Sequence, residues 1–297
     1  MKKNRFIKLA SGLLVLCLMT TCVIGATLAK YTTAGSGADT ARVAKWGVTV
    51  SASGSLFGKA YASNSAGANA NEIVASSTNV LSSNTQNVVA PGTKNTTGLN
   101  FTVSGTPEVA YSLTVASNTA KDIYLKAGTY GYMVAVTLKN GDDLEGLYLK
   151  SDDTSYTKQT TGTYSSGDYY KLVEVATASA DYYPISWSMG GNTYTSLSNP
   201  STGLVKALIA LSQPTVNAGV NVAINKTITW AWEFHVSDNN DKLDTLLGDL
   251  MANNVYTSDK ALVVSTDSGT TYKAAVEVEN YNLNVNLDIT ITATQID

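Results

Sequence analysis

Thiols are nearly missing from this chain of 297 residues: its two cysteines, Cys17 and Cys22, both fall close to the start. Everything downstream of them lacks a disulfide, a thiolate nucleophile and any cysteine-based metal site. Histidine is scarcer still. With His235 alone, an HExxH zinc site, a two-histidine metal site within one chain and a Cys/His nucleophilic pair are all excluded. Charge is sparse at 14% of residues, with an overall balance of −3, and four of the basic residues sit in the first eight positions. The remainder is therefore more acidic than the whole, which argues against a nucleic-acid partner. No phosphate-binding glycine loop, dinucleotide fingerprint or basic aromatic patch is present.

What is there begins with an export-type leader. Lys2, Lys3, Arg5 and Lys8 precede an uncharged apolar run over residues 9–24, and small residues follow it. Thr27 and Ala29 place small side chains at the third and first positions before a cut, so cleavage is expected between Ala29 and Lys30. Residues 9–29 are also long enough to span a bilayer as an uncleaved anchor, although Thr20, Thr21, Gly25 and Thr27 make the second half polar for that role. Cys22 invites a lipoprotein reading, but Met19, Thr20 and Thr21 match a lipobox poorly. An exported chain without disulfides must draw its stability from core burial or from assembly with other chains.

After the leader, residues 30–41 carry KYTTAGSGADTA, which is small and polar apart from Tyr31 and contains Gly35 and Gly37. Such a run cannot build a core and reads as a linker or as a strand waiting for a partner. From residue 42 to the end, the pattern is that of one large strand-rich body. Ala44, Trp46, Val48 and Val50 alternate with polar residues and predict its first strand.

Leu99, Phe101 and Val103, then Gly105-Thr106-Pro107, then Val109, Tyr111, Leu113 and Val115 predict an antiparallel pair. Tyr132, Val134, Val136 and Leu138 lead into Asn140-Gly141, a hairpin signal, with Leu147 and Leu149 as the expected partner. Ile185, Trp187 and Met189 end at Gly190-Gly191, Ile228, Trp230, Trp232 and Phe234 form an aromatic strand, and a last alternation runs from Tyr281 to Ala293.

Two leucine patterns break the strands. Leu204, Leu208 and Leu211 predict a helix near 203–212 capped by Ser201 or Thr202, and Leu243, Leu246, Leu247 and Leu250 predict another near 241–252. The fold expected from the residues is all-β with two short helices.

Three constellations bear on chemistry. Asp267-Ser268-Gly269 resembles an aspartic-protease loop, but it occurs once and lacks the preceding apolar run, so a hairpin turn is expected. The acidic groups Asp142, Asp143, Glu145 and Asp238, Asp241, Asp244 lack EF-hand spacing and read as a solvated loop and a helix start. No catalytic residue, cofactor site or metal site emerges.

Several segments together resemble a known family. Thr27-Leu28-Ala29-Lys30-Tyr31, APGT at 90–93, SGTPEVA at 104–110, YYPISW at 182–187, and ITWAWEF followed by DTLLGD are similar to the TasA and camelysin-like secreted biofilm-matrix and pilus subunits of Gram-positive bacteria. The resemblance implies a leader read by a SipW-type signal peptidase and a jelly-roll-like antiparallel β-sandwich. It also implies polymerisation in which each mature N-terminal segment completes a neighbour's sheet. On that reading the partners are copies of the same chain and other matrix components, the membrane holds only the unprocessed precursor, and Tyr31, Gly35 and Gly37 belong to the donated strand. The function expected is that of an extracellular structural fibre subunit. A secreted adhesin or carbohydrate-binding module, using Tyr and Trp side chains on loops such as 156–170, is the other reading.

Overall fold

Alternation at a period of two governs the observed architecture, a computed structural model in which antiparallel strands dominate and two helices fill the gaps. Described are residues 41–63, 70–71, 80–152, 154–233, 236–252, 256–257, 260–265, 267, 269–274 and 281–296. The chain divides into Met1–Ala44 and Lys45–Asp297, and the fold below is that of the second unit.

Its elements in chain order are β1 (Thr49–Gly54), β2 (Ala60–Ser63), β3 (Ala70–Asn71), β4 (Val80–Leu81), β5 (Lys94–Gly105), β6 (Tyr111–Lys121) and β7 (Tyr124–Leu125). Next come β8 (Gly128–Ala135), β9 (Tyr148–Lys150), β10 (Ser155–Lys158), β11 (Tyr169–Ala178), β12 (Ile185–Met189), β13 (Asn192–Tyr194) and α1 (Leu204–Ile209). The rest are β14 (Gln213–Val216), β15 (Val222–Trp232), α2 (Asp238–Met251), β16 (Tyr256–Thr257), β17 (Lys260–Ser265), β18 (Thr271–Ala274), β19 (Tyr281–Asn282) and β20 (Asn286–Gln295).

A five-stranded sheet in the order β1-β5-β15-β12-β13 packs against a three-stranded sheet, β14-β6-β20. Val103 and Val222 from the first meet Tyr111, Leu113 and Val216 from the second, with Val48, Ile291 and Ala293 partly covering them. The aromatic strand behaves as its alternation requires: Ile228, Trp230 and Trp232 of β15 are buried side by side with Ile185 and Trp187 of β12. Against this core lie the four leucines of α2 and Leu204 and Leu208 of α1.

The third large assembly closes on itself. β8 pairs with β11, β11 with β9, β9 with β10, β10 with β18, β18 with β17 and β17 with β8 again, while β16 is appended to β17. Closure removes the unpaired edges of these strands. Met133, Tyr148, Tyr156, Val263 and Tyr272 fill the interior, with Tyr148 and Tyr272 meeting edge to face at 5.5 Å. The alternate residues Tyr130, Tyr132, Leu262 and Val264 face outward into the main core.

Four local expectations are corrected. The predicted β5–β6 pair does not form, because β1 and β15 already occupy both edges of β5, and residues 105–111 carry the chain across to the opposite sheet. Glycine is required at this corner: a Cβ on Gly105, at φ +135°, would lie 1.8 Å from the Gly47 carbonyl oxygen. The first strand begins at Thr49 rather than near Arg42, and Trp46 instead packs edge-on against Tyr111 at 5.9 Å. Asn140-Gly141 does turn the chain, with the Asp142 N–H donating to the Lys139 carbonyl, but β8 has ended at Ala135 and β9 pairs with β10 and β11. Finally, α1 starts after Gly203 with no side-chain cap; the Leu204 and Val205 N–H groups donate to the Ser196 and Leu197 carbonyls. The second helix is capped by Ser237, which accepts from the Asn240 N–H, with Asp238 and Asp241 in its first turn.

Candidate functional site

On one side of the two-sheet body the outer strands are β1 and β20, which lie against each other. β1 is exposed along its whole length. Val50 lies opposite Val103 and Ala52 opposite Phe101, so both belong to the face that buries the β5 residues, yet Val50 is 39% exposed. On the facing sheet, β20 alternates exposed Asp288, Thr290 and Thr292 with Leu287, Ile289 and Ile291, which are only half-buried. Among the described residues β1 pairs with β5 alone and β20 with β6 alone. Among the described residues, then, neither outer edge pairs with a further strand, and a partly covered apolar strip lies beside them; such edges can accept an added strand.

A cleft of about 570 Å³ lies near the Gly54 end of β1 and the Asn286 end of β20. Phe57, three residues beyond β1, lines it, as do Leu283 and Val285, which immediately precede β20. Trp232 at the end of β15 and Asp244 and Leu247 of α2 form the interior, while Leu81 and Met251, 72% and 63% exposed, stand at the mouth. Asp244 is buried, and its Oδ1 accepts a hydrogen bond of 2.7 Å from the Tyr182 hydroxyl. Burial raises its carboxyl to about 6, against the opposing effects of Tyr182 and Trp232 hydrogen bonding, with the Asp241 charge adding to the rise. The Trp232 indole nitrogen, buried beside Asp244, favours the ionised carboxyl as Tyr182 does.

A second buried carboxylate is fully engaged. Asp122, 5% exposed, accepts from the Ser196 and Ser198 hydroxyls and from the Leu197 and Ser198 N–H groups at 2.7 to 3.0 Å. It fixes the loop that leads into α1 and holds no spare capacity for a ligand.

Of the residues singled out in the sequence, Ala29, Lys30, Tyr31, Gly35, Gly37 and His235 lie outside the described residues. Asp267 serves the β17–β18 turn, accepting from the Ser265 hydroxyl at 2.6 Å and the Thr271 N–H, and those bonds hold its carboxyl below the usual range. Ser268 lies outside the described residues. Asp142 accepts from the Lys139 N–H and Asp143 from the Glu145 N–H, each within its own loop. No group of three or more His, Asp or Glu side chains placed to hold a metal ion occurs among the described residues. No helix among them is long and apolar enough to cross a membrane.

The role of Asp244 was missed when it was read as part of an acidic helix start. At 100° per residue Asp244 falls on the flank of the leucine stripe and not within it, so the helical pattern alone did not signal its burial. Comparison with known proteins returns no match, whether to family models, curated proteins or solved structures.

Proposed function

We propose that this chain is a structural subunit of an extracellular fibre or biofilm matrix, related to the TasA and camelysin-like proteins and built on a jelly-roll-like sandwich. It is exported, cut between Ala29 and Lys30, and polymerises by donating its mature N-terminal segment to a neighbouring copy. The outer edges of β1 and β20 carry this reading, because among the described residues neither pairs with a further strand, and one added there would help cover Val50, Ile289 and Ile291. Lengths agree: residues 30–41, extended at 3.3 Å per residue, reach about 40 Å, enough to run beside the ten residues of β20. The segment is small and polar apart from Tyr31, so it suits a partner's groove better than a core of its own. No step of this function is catalytic.

Electron microscopy of the mature chain beside a chain starting at Arg42 tests the reading. Fibres are expected from the first and dispersed particles from the second. Equal fibres from both would remove the N-terminal segment from the mechanism, and fibres from neither would remove polymerisation.

A further inference from the structure

Among the described residues that line the cleft, Asp244 alone carries a charge, and Phe57, Trp232, Leu247 and Val285 make the walls around it apolar. Its carboxylate accepts from the Tyr182 hydroxyl at 2.7 Å and is favoured by the Trp232 indole beside it. Lone pairs remain, since an ionised carboxylate accepts at about four sites. In apolar surroundings such a group gains most from a cation, because Coulomb attraction strengthens where water is excluded.

The helix leaves the approach to this carboxylate open. Gly248 follows Asp244 by one turn of α2 and also lines the cleft. A helical side chain leans toward the N-terminus over the turn before it, so any side chain at position 248 would lie across Asp244. Glycine is a poor helix former, and crowding does not demand it here: a Cβ on Gly248 would meet nothing within 4 Å.

The chemistry of the cleft narrows the cation. A divalent metal ion takes several oxygen ligands from carboxylates and their neighbours, and Asp244 is the one carboxylate among the described lining residues. A guanidinium pairs best with both carboxylate oxygens at once, and Tyr182 already holds Oδ1. An ammonium needs one oxygen, and the aromatic faces of Phe57 and Trp232 favour a cation near them. The volume of about 570 Å³ lies in the range that encloses small molecules. Leu81 and Met251, exposed at the mouth, suit a hydrocarbon tail better than the peptide groups that flank a protein lysine.

We propose that the cleft binds a small organic ammonium, its nitrogen on Asp244 in the space that Gly248 leaves open and its apolar tail between Phe57, Leu247 and Val285. The site does not depend on strand donation, and a chain that forms no fibres would still bind the amine.

Titration calorimetry of the mature chain at pH 8 with n-hexylammonium chloride tests this, with hexan-1-ol as the uncharged counterpart. The ammonium should bind about tenfold more tightly than the alcohol, through one charge-assisted contact. Asp244→Asn should remove that advantage. Gly248→Leu should abolish binding of the ammonium while keeping the fold, since the new side chain enters open space. At pH 5 the affinity should fall about tenfold as Asp244 takes up a proton; the Asp241 charge promotes that uptake, and Tyr182 stays protonated throughout. Equal affinity for alcohol and ammonium, or ammonium binding unchanged in Asp244→Asn, would overturn the assignment. So would the absence of saturable binding at millimolar hexylammonium. Binding of Nα-acetyl-lysine amide in preference to hexylammonium would replace the small molecule with a protein lysine and overturn the occupant proposed.

Discussion

Tyr182 donates its hydroxyl to Asp244 across 2.7 Å, joining the segment before β12 to the buried face of α2. Burial, then the Asp244 charge, pushes the Tyr182 hydroxyl far above the usual tyrosine range, so it remains a donor at every physiological pH.

The carboxyl of Asp244 gives this contact a measurable pH signature. Its folded value of about 6 lies above the ordinary 3.8, so the folded state holds a proton that the unfolded state releases. The contribution to stability is full below pH 4 and is lost as pH rises through about 6, a difference of about 3 kcal/mol. Urea midpoints at pH 4 and pH 8 for the native chain and Asp244→Asn should isolate it: the two chains should converge at low pH, and the variant should gain relative stability at high pH. A constant difference between them across this range would refute the assignment.

Asp122 should be among the least replaceable polar residues. Asp122→Ala removes the acceptor for four donors and leaves two of them, the Ser196 hydroxyl and the Leu197 N–H, buried without it, and the expected loss is about 3 kcal/mol. Equilibrium urea unfolding should show a lower midpoint at unchanged slope.

Gly203 stands where α1 leaves the same loop. A Cβ there would lie 2.6 Å from both the Asn199 and the Leu197 carbonyl oxygens, so Gly203→Ala is expected to cost about 2 kcal/mol by overpacking. Thermal unfolding should fall by several degrees, and a shift within one degree would show that the loop yields freely.

At the open edge, Val50→Lys should separate stability from assembly. Val50 is 39% exposed, so the monomer is expected to change by no more than about 0.5 kcal/mol, while a lysine there should suppress polymerisation if the added strand docks along β1. Sedimentation at increasing concentration measures the second effect; unimpaired polymers would place the added strand elsewhere.

Tyr31→Ala provides the converse test from the donor side. If the side chain is buried only in the polymer, at a gain of about 2 kcal/mol, the critical concentration should rise about thirtyfold while thermal unfolding of the monomer stays unchanged. Destabilised monomers with normal assembly would place Tyr31 in its own subunit.

Strand identity was legible in the sequence wherever one face is buried and the other wet, as in β15 with Ile228, Trp230 and Trp232, because a period of two is a local property of the backbone. The leucine spacings likewise located both helices, and Gly190-Gly191 marked the hairpin that joins Met189 to Asn192. Pairing was not legible. The alternation of Leu99, Phe101 and Val103 says which face is buried but not which strand lies beside it, so β5 and β6 resembled a hairpin although the fold places them in opposite sheets.

The closed ring of β8, β9, β10, β11, β17 and β18 depends on β17 meeting β8 across more than a hundred residues, a contact with no local signature. The cleft was hidden for the same reason: Phe57, Trp232, Asp244 and Val285 converge from four separated segments. Local chemistry sets period, turn and cap within a few residues, whereas neighbours, edges and cavities are decided by which distant surfaces bury one another.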